Sequence, residues 1–264
     1  MKKLFAGLFL LLGMLSLQVN ALASSDEIGV VILHGKGGSP NTKWIQPFAD
    51  QFSAAGFQVA NLEMPWSKQR RYDVNVAAAL DEIDQAFRDL RAQGTTHHFV
   101  IGHSQGGLFA LVYAGHAKVD GVIAVAPGGG VDSKKVMDEI RSQIAKAKEL
   151  IQQQAGNTPE AFYEYEGSKG QIPMRTTPAI YFDWFNPKGE MRFSKALPGV
   201  LPNTPVLYVS PINDYSGLRK IKQKNFHQLP SHPSNLLYEP DSDHLHAPID
   251  SAEKIISWIQ GIVK

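Results

Sequence analysis

No cysteine occurs anywhere in the chain. That absence excludes disulfides, cysteine-ligated metal centres and anchoring through a lipidated cysteine, so the fold must be stable through its core alone. An excess of one charge is missing as well: 26 Lys and Arg stand against 25 Asp and Glu, which leaves no overall basic footprint for nucleic acid. A bilayer-spanning run is also lacking, because the apolar stretch from Leu4 to Leu17 falls short of the roughly 20 residues a membrane helix requires. Behind Met1-Lys2-Lys3 and ahead of Ala21-Leu22-Ala23, that stretch instead has the layout of a cleavable secretory signal over residues 1–23, cut after Ala23. The expected mature protein is periplasmic or secreted, with no stable membrane anchor after cleavage. Taking 23 residues from 264 leaves 241, enough for one sizeable domain over residues 24–264. Without Lys2 and Lys3 the basic count falls from 26 to 24 against 25 acidic, and the simplest partner is a small neutral molecule. Internal repeats and low-complexity tracts are absent.

What the mature segment does contain is an alternation of apolar strands and amphipathic helices. Ile28 to Leu33 is a continuous apolar run ending in His34-Gly35-Lys36-Gly37-Gly38-Ser39-Pro40, a buried strand entering a glycine-rich loop. Trp44, Phe48 and Phe52 step by four toward Gly56, before a short strand from Phe57 to Leu62. Val76, Leu80, Ile83, Phe87 and Leu90 mark a second helix closed by Gly94, and strands follow at Phe99–Ile101, Val122–Ala126, Pro205–Ser210 and Asn235–Tyr238. A closing helix carries Ile255, Ile256, Trp258, Ile259 and Ile262. This rhythm predicts an α/β fold: a mostly parallel sheet with helices on both faces and its site at the carboxyl ends of the strands. Residues 132–203 break the rhythm. Their first part is a polar helix over Ser133–Gln154, and Phe162 to Phe193 is a long loop crowded with aromatics. They are expected to form a cap over the site, with Tyr181, Phe182, Trp184 and Phe185 as its pocket wall, or else to seal a loop onto the core.

Gly102-His103-Ser104-Gln105-Gly106 fits G-x-S-x-G between a strand and a helix, the setting in which a strained turn presents a nucleophilic serine. A hydroxyl is a weak nucleophile at neutral pH and needs a base, itself oriented by a third group. His244 is the expected base, with His246 two residues on leaving the register open; both lie in Asp241-Ser242-Asp243-His244-Leu245-His246. Asp214, in the turn after a buried strand, is the expected acid, with Asp132 in reserve, giving the chain order Ser, Asp, His. The oxyanion of an acyl-transfer intermediate needs backbone donors. The Gln105 N–H is one, and the loop after the first strand supplies another, Lys36 first and Gly37 close behind. Asp241, Asp243, His244 and His246 also invite a metal reading, but no H-E-x-x-H or Cys pair accompanies them, and no metal is expected.

Through Gly102-His103-Ser104-Gln105-Gly106-Gly107, His34-Gly35 and Asp243-His244, the chain resembles the α/β-hydrolase superfamily over nearly all of its mature length. The resemblance implies hydrolysis of an ester, thioester or amide through an acyl-enzyme, with Ser104 as nucleophile, His244 as general base and acid, Asp214 as orienting group and no cofactor. A carboxylic ester of a small or medium acyl group is the leading expectation. A non-catalytic binder that kept the fold is the alternative, and covalent labelling separates the two.

Overall fold

A strand buried on both faces must send apolar side chains alternately to either side. The first strand does so: Val30 and Ile32 enter one hydrophobic core, Val31 and Leu33 the other. The computed structural model describes residues 24–264, and the leader expected over residues 1–23 lies outside them. The chain builds β1 (Ile28–Leu33), α1 (Gln46–Ala54), β2 (Gln58–Leu62), α2 (Val76–Ala92), β3 (His97–His103), α3 (Gln105–His116) and β4 (Gly121–Val125). It then departs through α4 (Lys134–Gln152), β5 (Glu160–Glu166), β6 (Gly170–Thr176), α5 (Pro178–Phe185) and α6 (Phe193–Gly199). It returns as β7 (Val206–Val209), α7 (Ser216–Phe226), β8 (Leu236–Tyr238) and α8 (Ala247–Ile262).

Six strands form one parallel sheet in the order β2-β1-β3-β4-β7-β8. Helices α1 and α8 bury Phe48, Phe52, Ala252, Ile255 and Ile259 against one face. The other face receives α2 and α3 through Ile83, Phe87, Leu108 and Leu111, together with the residues arriving from α4 to α6. Helix α3 is buried from Gln105 to Ala114, all but its last two residues, which explains why its sequence shows no polar stripe. The strand order reverses direction between β1 and β3, and such a switch point opens a crevice at the carboxyl ends of the strands. Here the loops after β1 and β3 face each other across it. No described helix is long and apolar enough to cross a membrane.

The aromatic stretch from Phe162 to Phe193 is not a long irregular loop, as its sequence suggested. It holds an antiparallel hairpin, β5 paired with β6 from Glu160↔Thr176 to Glu166↔Gly170, followed by two short helices. Thr177 caps α5 by accepting the Ile180 N–H (3.3 Å), with Pro178 in the first turn. The hairpin and the two helices pair backbone polar groups within the segment itself.

Candidate active site

The turn after β3 is built by close backbone approach. A Cβ on Gly102 would stand 2.0 Å from the Gly106 carbonyl oxygen, and one on Gly106 would stand 2.4 Å from that of Leu33. Only glycine fits either place. Between them Ser104 adopts φ 53 and ψ −117, a left-handed conformation that a side chain ordinarily avoids. The strain is held by hydrogen bonds on both sides: Ser104 N–H donates to Val125 O (2.9 Å), and Gly128 N–H donates to Ser104 O (3.0 Å). The Ser104 hydroxyl is thereby thrust above the end of the sheet, at the N-terminus of α3.

Asp214 and His244 are brought together by the loops after β7 and β8. Asn213 and Asp243 form a parallel bridge, Asn213 N–H donates to Ser242 O (3.0 Å), and the Asn213 amide donates to Asp241 Oδ1 (3.0 Å). Asp214 Oδ1 accepts from His244 Nδ1 (2.8 Å) and from the Tyr215 N–H (2.6 Å). His244 Nε2 stands 3.0 Å from Ser104 Oγ. With Nδ1 protonated toward the carboxylate, Nε2 is left as the acceptor for the serine proton. Asp214 is buried, and its second oxygen, Oδ2, has no hydrogen-bond partner.

Of the two histidines at 244 and 246, the first turns inward to Asp214 and Ser104 and the second outward. His246 lies at the surface, its Nδ1 2.8 Å from Asp243 Oδ2, with its ring against Trp44 at 4.1 Å between centroids. Asp243 also accepts the His246 and Leu245 N–H groups, both at 2.9 Å; the His246 N–H first, then the His246 ring and the Leu245 N–H, hold its carboxyl below the usual carboxylate range. Asp132 accepts the Ser194 N–H (2.9 Å) and ties α6 to the end of β4 instead of approaching an imidazole. The four residues of the metal reading thus turn toward separate partners: His244 inward to Asp214, His246 and Asp243 to each other, and Asp241 to Asn213.

Two histidines inside the loop motifs fix backbone. His34 Nδ1 pairs with Gly35 O (2.8 Å), so its Nε2 accepts the Met64 N–H (3.0 Å), and burial lowers its pKa. His103 Nε2–H donates to His244 O (2.8 Å). Its ring is buried beside that of His244, and both effects, burial first, push its pKa down from 6.5 to about 3. In the unfolded chain the same imidazole takes up its proton near pH 6.5. Between these values the unfolded state binds the extra proton, so folding weakens as pH falls; above 6.5 both states are neutral and the contribution vanishes. From pH 7 to pH 5 the loss comes to about 2 kcal/mol. His103→Gln keeps a donor for His244 O and is expected to shrink the difference in unfolding free energy between pH 7 and pH 5 by about that amount. Urea titrations at the two pH values measure it, and an unchanged difference would show that His103 titrates normally in the folded protein.

The backbone N–H groups that could receive an oxyanion sort themselves by what they already do. Gln105 is the first residue of α3, where an amide has no intrahelical acceptor. Gly37 N–H is already used, donating to Trp66 O (2.9 Å), and Gly38 N–H donates to Gly35 O (3.0 Å). The Lys36 N–H has no such partner among the described residues, which favours Lys36 over Gly37.

The pocket wall read from the sequence needs correction. Tyr181 (0 % exposed), Trp184 (1 %) and Phe185 (5 %) lie in the core. Tyr181 stacks on Phe162, and Trp184 and Phe185 pack edge-on or tilted against Trp66, Tyr72 and Phe109, while Phe182 packs under Lys148. They weld the inserted segment to the sheet because large aromatics gain most when fully buried. A cleft of about 430 Å³ that adjoins His244 through Tyr215 is lined instead by Val136, Tyr165, Phe193, Tyr215, Leu218 and Ile221, with Lys135 and Lys224 among its polar residues. Tyr215 also lies against His244, ring centroids 4.5 Å apart. Its place immediately after Asp214 was the one signal in the sequence that could have marked it.

With this geometry in place, comparison with known proteins is informative. A model of the serine aminopeptidase (S33) hydrolase family matches residues 25–168, more than half of the chain. The chain belongs to this family. Solved structures share the fold at low identity. An α/β hydrolase from Penicillium sp. sh18 has TM-score 0.66 and 15% identity over 92% of this chain and 91% of its own. A thermostable carboxyl esterase from Bacillus coagulans has TM-score 0.63 and 16% identity over 89% and 90%. A monoacylglycerol lipase from Paleococcus ferrophilus has TM-score 0.60 and 19% identity over 91% and 97%. No curated protein matches the sequence. The fold is that of an α/β hydrolase, and the family is one of hydrolases.

Proposed function

We propose that this hydrolase is a serine carboxylic-ester hydrolase working through an acyl-enzyme. The observation that carries the reading is the unbroken line from Ser104 Oγ to His244 Nε2 (3.0 Å) and from His244 Nδ1 to Asp214 Oδ1 (2.8 Å). In the first half-reaction Ser104 Oγ attacks the acyl carbon as its proton passes to His244 Nε2. The carbonyl oxygen gains the negative charge facing the N–H groups of Gln105 and Lys36. His244 then returns the proton to the leaving alcohol, and water repeats the sequence to release the acid. Protein groups suffice for every step. The apolar side chains of the cleft suit a small or medium acyl chain, and its volume is in the usual range for small-molecule sites. The carboxyl esterase and lipase among the structural neighbours support an ester as substrate. The leader expected over residues 1–23 supports a periplasmic or secreted place of action.

The experiment is covalent: purified protein is treated with a fluorophosphonate and the modified peptide identified by mass spectrometry. Stoichiometric labelling at Ser104 is expected, together with turnover of p-nitrophenyl esters whose rate depends on chain length. Folded protein that resists the probe and turns over no ester would instead indicate a binder on a hydrolase fold.

A further inference from the structure

A buried chain of polar side chains runs beneath the two amides assigned to the oxyanion, and the catalytic reading above leaves it unused. Lys36 Nζ pairs with Glu164 Oε2 at 2.8 Å, with side chains 11% and 7% exposed. The same carboxylate oxygen accepts the Tyr72 hydroxyl (2.8 Å). The Gln105 side-chain amide in turn donates to the Tyr72 oxygen (3.1 Å). Four residues from four parts of the chain thus form one network. Its two ends, Lys36 and Gln105, are the residues whose backbone N–H groups the proposed mechanism assigns to the oxyanion, and its centre, Glu164, lies on β5 of the inserted segment.

Several features show that this arrangement is imposed. Arg71 and Tyr72 are consecutive non-glycine residues with positive φ, 50 and 58, and such strain persists only where the surroundings hold it. Tyr72 is held by its own N–H on Pro65 O (2.6 Å), by the Thr176 hydroxyl donating to Tyr72 O (2.6 Å) and by Trp184 and Phe185 against its ring. Its hydroxyl pKa is raised well above the ordinary value, by burial first and then by Glu164, so it remains a donor. A buried Lys–Glu pair contributes little net stability compared with apolar side chains of the same size. It does fix direction, since both partners must meet at one place.

We infer that Glu164 and Tyr72 are positioning residues for the oxyanion hole: through Lys36 and Gln105 they set the spacing of the two backbone donors and couple it to the seating of the β5–β6 hairpin. The inference rests on the hydrolase reading. Oxyanion donors act only when aimed at the place where charge develops, and displacement of the order of 1 Å can cost roughly 100-fold in rate. Loosening the network should therefore lower kcat and leave substrate binding in the cleft alone.

The test uses Glu164→Gln and Tyr72→Phe in the full chain, with steady-state kinetics on a p-nitrophenyl ester and inhibition by a trifluoromethyl ketone, whose adduct forms an oxyanion. Each variant is expected to lose roughly 10- to 100-fold in kcat with KM within about 2-fold, and to lose ketone affinity in parallel with kcat/KM. Tyr72→Phe keeps the ring packing and removes only the hydroxyl, so it reads out even if Glu164→Gln folds poorly. Lys36→Met combined with Glu164→Gln removes the unpaired charge; it should recover stability without recovering kcat. Unchanged kcat and ketone affinity in both single variants, with wild type labelled at Ser104, would overturn the inference and leave the hydrolase reading intact. Wild type that neither labels nor turns over ester would overturn the reading itself.

Discussion

Ser104→Ala and His244→Ala should each lower kcat by roughly five to six orders of magnitude, and the double variant should be no slower than either single one. The reason is that the two side chains perform a single act. Without the hydroxyl there is nothing for His244 Nε2 to deprotonate; without the imidazole, the hydroxyl 3.0 Å away keeps its proton and remains a poor nucleophile. Once the line is broken, what is left is the field of the backbone amides and the binding of the substrate, the same in all three variants. Asp214→Asn should cost roughly 10⁴-fold. The asparagine amide would donate toward His244 Nδ1, and the imidazole would then carry its proton on Nε2, facing Ser104 as a donor. Hydrolysis of an activated ester under saturating conditions measures all of these. Near-wild-type kcat in Ser104→Ala would place the nucleophile elsewhere, and losses that multiply in the double variant would mean that the two residues act independently.

The second large effect is steric. Gly106→Ala would set a methyl group 2.4 Å from Leu33 O and 2.7 Å from His34 O, and both are backbone atoms of the central strand and the loop after it. Neither can rotate aside as a side-chain end would. Either α3 must back away from the sheet or the end of β1 must move, and α3 is packed on all sides. We expect a loss of about 3 kcal/mol or more and a fall in Tm of roughly 10 °C. Gly261→Ala in α8 is the matched control: nothing lies within 4 Å of its added Cβ, and alanine there should be neutral or stabilise by about 0.5–1 kcal/mol. Thermal unfolding of the pair makes the comparison, and equal Tm values would show that the β1–α3 contact is far more yielding than its geometry indicates.

The sheet was legible in the sequence because its inner strands are buried on both faces and read as plain apolar runs, and α2 because one face of it meets the core. Helix α7 was not, since Lys220, Lys222 and Lys224 crowd it and only Asn225 is buried along its length. The hairpin was missed for a different reason: aromatics on both sides of β5 hide the alternation of a strand. Within the site, Ser104 was marked by glycines whose steric necessity is local. Asp214 and His244 were reached through chain order, and what joins them, the Asn213–Asp243 bridge, is a long-range contact that no local pattern carries. The aromatic run misled because size and apolarity suit a core as well as a pocket. Glu164 left one faint trace, a carboxylate two residues from buried Phe162 on the same face of β5, and its meaning appears only once Lys36 is seen opposite.

Strands β4 and β7 are hydrogen-bonded neighbours, yet residues 126–205 intervene between them. The entropy of closing such an excursion grows only logarithmically with its length, and Ser104, Asp214, His244, Gln105 and Lys36 all lie outside the 132–203 segment. The excursion nevertheless supplies Val136, Tyr165 and Phe193 to the cleft. Under the proposed mechanism chemistry and selectivity therefore sit on separable stretches of chain, which would leave descendants of this protein free to lengthen, shorten or exchange the excursion in search of new substrates. That freedom carries a toll: any replacement has to present an acid to Lys36 and support Tyr72 as Thr176, Trp184 and Phe185 do, or release both residues from their duty altogether.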